Sequence, residues 1–133
     1  MRSLKFVPAV LATVSFALVP MLAAASTEPI SGLPLFPGAK VGGAPHTQAH
    51  CGITMRSVQY EVDGPSTKPV EFFRKALPGA GTWTFANGSV TDFLPRDGKS
   101  IVKVITVAPN SYYIVYGSYS KPVTMSQVRT GKC

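Results

Sequence analysis

The chain has 133 residues, two cysteines, a formal charge of +7 and a charged-residue content of 14%. This length accommodates one small domain with a real core and excludes two. The 13 basic residues are scattered rather than clustered, so they read as surface charge suited to anionic or acidic partners, and a nucleic-acid footprint is excluded.

The first segment reads as an export signal. Met1, Arg2, Ser3, Leu4 and Lys5 carry two positive charges and no acid, and Phe6 to Val19 contains no charged residue. Pro20 breaks any helix there, and Ala23, Ala24 and Ala25 supply the small residues that a signal peptidase accepts. Cleavage is expected after Ala25. An uncleaved anchor is the alternative, opposed by Pro8 and Pro20. Removing 25 of the 133 residues leaves 108, and the loss of Arg2 and Lys5 lowers the charge from +7 to +5. The destination is then secreted or periplasmic, with no membrane association after cleavage.

Both cysteines, Cys51 and Cys133, lie in the exported part. An even count in an oxidising compartment reads as a disulfide. It closes a loop from position 51 to position 133, 82 residues apart, and ties the C-terminus to the domain. The chain-entropy model gives such a bridge about 4 kcal/mol, less any native strain. A free or intermolecular thiol is the alternative.

Residues 26–50 contain Pro29, Pro34, Pro37 and Pro45 with Gly32, Gly38, Gly42 and Gly43, which excludes long regular structure. Leu33, Leu35 and Phe36 are apolar, so this stretch is expected to wrap the domain as an arm. Residues 53–62 place Val58, Tyr60 and Val62 at period two, a strand with one buried face, ended by Asp63-Gly64-Pro65. Residues 67–77 predict the one helix. Ser66 or Thr67 can cap it, Pro69 suits its first turn, and Val70, Phe73 and Leu77 recur on one face. Pro78-Gly79 stops it.

Four strand signals follow. Residues 82–86 lead into Asn87-Gly88, the strongest short hairpin signal, and residues 89–94 return. Pro95-Arg96-Asp97-Gly98 is a second turn, residues 99–107 are rich in β-branched side chains, and Pro109-Asn110 turns into residues 111–119. Ser120 to Cys133 has no clear period. The expected fold is α+β: a single two-layer domain, one helix packed on an antiparallel sheet of about five strands in the order β-α-β-β-β-β. The expected division is a signal peptide (1–25), a Pro/Gly-rich arm (26–50) and the α+β domain (51–133).

One set of residues carries a family resemblance. The run Tyr60-x-Val62, then Val70-x-Phe72-Phe73-Arg74-x-x-Leu77, then Gly81-x-Trp83 resembles small secreted or lipid-anchored bacterial domains of unknown function. In those, a strand is followed by a helix reading V-x-x-F-[YF]-[KR]-x-x-L and a Gly-Trp entering the next strand. Leu33-Pro34-Leu35-Phe36-Pro37-Gly38-Ala39-Lys40 is similar to their lead-in. The resemblance implies a fold and an exported bacterial setting, and supplies no catalytic residue.

Chemistry-bearing residues are few. His46 and His50, with Met55 close by, offer imidazole and thioether ligands that would suit copper in an exported protein, if the segment were helical. Solvated loop histidines are the alternative. No nucleophile elbow, acid pair or phosphate loop is present, so a non-enzymatic protein without a cofactor is expected. The last strand is richer: Tyr112 and Tyr116 fall on one face, Tyr113 and Tyr119 on the other, and the helix can cover only one. Tyrosines on an open face beside Lys103 suit a protein or polysaccharide of the cell envelope. Cover of that face by residues 27–50 is the competing arrangement. The leading expectation is therefore an exported binding domain using an aromatic sheet face, and a small periplasmic copper-type domain is the runner-up.

Overall fold

The computed structural model describes residues 26–64 and 68–133. The signal-peptide reading of residues 1–25 and the cap candidates Ser66 and Thr67 lie outside the described residues.

The strand β3 (Ile53–Asp63) organises the sheet. Its alternation buries Val58, Tyr60 and Val62 and leaves Gln59 and Glu61 on the opposite side. Alongside it runs β7 (Ser111–Tyr119), antiparallel from Met55 opposite Tyr119 to Asp63 opposite Ser111. Next come β6 (Ser100–Ala108), β5 (Val90–Leu94) and, at the far edge, β4 (Gly81–Phe85). The other edge of β3 is lined by two short strands in series, β1 (Lys40–Val41) and β2 (His46–His50), both antiparallel to it. The β4–β5 turn places Ala86, Asn87 and Gly88 at φ of 54°, 57° and 86°, a conformation that Asn and Gly tolerate best.

One face of the sheet holds the core. Helix α1 (Pro69–Ala76) lies over it with Phe73 fully buried. The Phe73 ring sits 5.0 Å from Phe72, 5.8 Å from Tyr116, 5.9 Å from Phe93 and 6.5 Å from Phe36. The arm packs on the same face through Leu33 and Phe36. Its attachment is polar as well. The Tyr116 hydroxyl donates to Pro34 O at 2.9 Å and accepts from Phe36 N at 3.0 Å. Glu28 is buried but satisfied, accepting from Ile30 N, Ser31 N, Ser31 Oγ and Tyr60 Oη at 2.7–3.3 Å. Burial, and secondarily Glu28, raises the Tyr60 pKa.

The expectation of one helix on about five strands is overturned. The described residues form a sheet-dominated fold of seven antiparallel strands and two short helices. Two of the additional elements, β1 and β2, are exposed along their whole length, so they have no apolar alternation to read. They form because β3 is long enough to offer an unpaired edge. The third is helix α2 (Met125–Thr130), which has no fully buried residue. It carries instead a reciprocal capping box between Thr124 and Gln127 and a left-handed Gly131 at its end. A Cys51–Cys133 disulfide spans 82 residues and joins the β2–β3 turn to the last residue. Among the described residues no helix is long and apolar enough to cross a membrane.

Candidate functional site

The second face of the sheet is roofed at one end by the C-terminal segment. Four contacts hold that roof. Val123 N donates to Gly98 O at 2.9 Å, and a Cβ at Gly98 would overlap the Val123 carbonyl oxygen. At the β4 edge, the Arg129 guanidinium lies 5.8 Å from the Trp83 ring, which is stacked on Phe85 at 3.9 Å. At the opposite edge, His50 Nε2 donates to Gly131 O at 2.7 Å, since a carbonyl can only accept. The disulfide closes the same end.

Beneath the roof is a cavity of about 470 Å³. Strand pairing explains its lining. Trp83 stands opposite Asp92, Asp92 opposite Lys103, and Lys103 opposite Val115, so one row crosses four strands on this face. In the next row, Ile101 faces Gly117, whose missing side chain lets Ile101 and Met55 close over the strand. Tyr119, Val123 and Val128 complete a mostly apolar wall, and Gln48, His50, Gln127 and Lys132 supply polar groups.

Asp92 is the anomaly in that wall. Its side chain is 1% exposed, and neither carboxylate oxygen has a hydrogen-bond partner among the described residues. Lys103 Nζ approaches Oδ1 to 3.7 Å, an ion pair too long for a hydrogen bond. The Lys103 side chain is 38% exposed, and its ammonium also lies 5.5 Å from the Phe85 ring. Burial raises the Asp92 pKa, and the nearby Lys103 charge only partly offsets that. Burial and the Asp92 charge push the Tyr119 hydroxyl up to about 12. The arrangement offers an acceptor without a donor, a cation beside it, and apolar walls around both.

The structure distributes the sequence-predicted residues unevenly. Lys103 and Tyr119 meet in the cavity wall, while Tyr113 is half-buried on the same face, outside the lining. Tyr116 is removed from any partner surface: it is 0% exposed and its hydroxyl is occupied by the arm. Tyr112 packs against the core on that same face. The arm thus covers the helix side, and the C-terminal segment covers part of the other. His46 and His50 stand at the two ends of β2, opposite Ser57 and Ile53. Four steps along an extended strand separate them by about 13 Å, too far for one metal ion. His50 and Met55 reach the cavity wall and His46 does not. The sulfurs of Cys51 and Cys133 lie within 4.8 Å of a His50 ring nitrogen but are committed to the disulfide. Asp92 itself was missed, although a signal exists. Val90, Asp92 and Leu94 share one strand face, and a carboxylate between two aliphatic residues there is out of place.

No family model, no curated protein and no solved structure matches this chain, so the resemblance to small exported bacterial domains rests on the quoted residues alone.

Proposed function

We propose that the chain is an exported, non-enzymatic binding domain that holds a small ligand on its aromatic sheet face, in the cavity between β5, β6, β7 and α2. The observation that carries this reading is the buried, donorless Asp92 carboxylate in the wall of an otherwise apolar cavity. A group of that kind is costly in an empty protein, and a ligand donor would relieve it. The volume of about 470 Å³ falls within the range typical of small-molecule sites. Export is supported by the charged and then apolar N-terminus, the alanine cleavage site, and a disulfide of the kind that persists in oxidising compartments.

Trp83 is the single tryptophan of the chain and lines the cavity, so its fluorescence reports occupancy. Titration with small aromatic and aliphatic probes is expected to change Trp83 emission saturably, with matching shifts at the Met55 and Ile101 methyl groups. Probes that move neither signal at millimolar concentration would remove the reading. Intact-mass analysis of the exported protein is expected to start the chain at Ser26. A chain found to retain residues 1–25 would count against the export reading.

A further inference from the structure

We propose that the ligand of this cavity is a neutral, largely apolar molecule carrying one hydroxyl group, which donates to Asp92 and accepts from Lys103. The inference rests on the binding reading above and names its ligand class.

The head-group chemistry follows from two side chains. Asp92 needs a donor, because both of its oxygens are buried without one among the described residues. Lys103 Nζ, 3.7 Å from Oδ1, has hydrogens to give and no acceptor within hydrogen-bond distance on that carboxylate. A hydroxyl lodged between them serves both side chains, since it donates to one Asp92 oxygen and accepts from the ammonium. The alternatives fit worse. A cationic head would satisfy Asp92 but would bring a second positive charge against Lys103, with Lys132 also in the wall. An anionic head would pair with Lys103 but would lie against the Asp92 carboxylate in a poorly solvated site. A pure hydrocarbon offers no donor and would leave Asp92 as unpaired as before. The body of the ligand is set by Met55, Ile101, Val115 and Val128, which offer no polar group to it.

The test is calorimetric titration of the disulfide-intact protein with four naphthalene probes of one shape: 2-naphthol, 2-methylnaphthalene, 2-naphthylmethylamine and 2-naphthoate. The expected result is that 2-naphthol binds at least tenfold tighter than 2-methylnaphthalene, the difference made by hydrogen bonds to charged groups. In Asp92→Leu that advantage should shrink to the part that Lys103 supplies while 2-methylnaphthalene binds as before, which shows that the variant is folded. Should Asp92→Leu fail to fold, Lys103→Met is the second variant, expected to lose part of the advantage. Equal binding of 2-naphthol and 2-methylnaphthalene would overturn the hydroxyl inference and leave the cavity reading standing. So would tightest binding by the amine or the acid, or an advantage undiminished in Asp92→Leu. Binding by none of the four would overturn both readings.

Discussion

Two carboxylates in this chain have the same burial and opposite circumstances. Glu28 and Asp92 are each 1% exposed, yet Glu28 accepts four hydrogen bonds and Asp92 none. The two neutralising substitutions should therefore differ in sign. Glu28→Gln replaces an acceptor-only group with an amide and should cost about 1–2 kcal/mol in urea unfolding at pH 7. Asp92→Asn removes a poorly compensated buried charge and should stabilise the empty domain by about 1 kcal/mol. The pH dependence follows from the raised Asp92 pKa. A carboxyl whose folded pKa lies above its unfolded value contributes stability below the unfolded value and loses it as pH rises through the folded one. The advantage of Asp92→Asn over the parent should thus be negligible near pH 3 and grow toward neutrality. An advantage that is constant across that range would contradict the assignment. On the other face, Tyr116→Phe strips the partner from Phe36 N and Pro34 O and should cost about 2 kcal/mol, measured by the same unfolding assay.

At the scale of elements, the decisive piece is α2. It has no fully buried residue and is too short to persist alone, so its position depends on its attachments at both edges of the sheet. Replacing Cys51 and Cys133 with serine should lower stability by up to about 4 kcal/mol and increase amide exchange at residues 125–130 more than in β6 or β7. Gly98→Ala tests the opposite anchor. Gly98 has φ of 68° and its missing Cβ leaves room for the Val123 carbonyl, so alanine should cost more than about 1 kcal/mol. It should also weaken probe binding by loosening the roof. If exchange at α2 is unchanged in both variants, the roof is held by something other than these anchors.

Elements with a buried face were legible in the sequence. The Val58, Tyr60, Val62 alternation, the α1 stripe around Phe73 and the Asn87-Gly88 turn all lie where their periodicity or turn chemistry places them. What escaped reading was held by pairing and cross-linking rather than by burial. β1 and β2 follow from the length of β3, and α2 follows from its cap, Gly98 and the disulfide. The Thr124-x-x-Gln127 cap was present as a signal, but without an apolar run behind it. Half of the site was readable too. Tyr119 and Lys103 share a face by simple parity, whereas the burial of Asp92 depends on the roof that no periodicity announces.

Taken as a whole, the molecule is a single sheet with unequal cover. One face carries α1 and the arm, with the buried Glu28 and Tyr116 hydrogen-bonded; the other carries a partial roof and, among the described residues, an unsatisfied acid. The buried tyrosines give this architecture an alkaline limit. Tyr60, Tyr116 and Tyr119 all have raised pKa values, so above pH 10 the unfolded chain releases protons that the folded chain retains. Stability should then fall as pH rises from 10 toward 12, read by circular dichroism, and Tyr119→Phe should reduce the slope. Binding on the second face is read from where a bound probe sits. Intermolecular nuclear Overhauser effects from 2-naphthol are expected to the methyl groups of Met55, Ile101 and Val128, which surround the cavity. Effects to Val102, Val104 or Ile114 on the helix face, or to none of the chain's methyl groups, would rule out a ligand site on the second face.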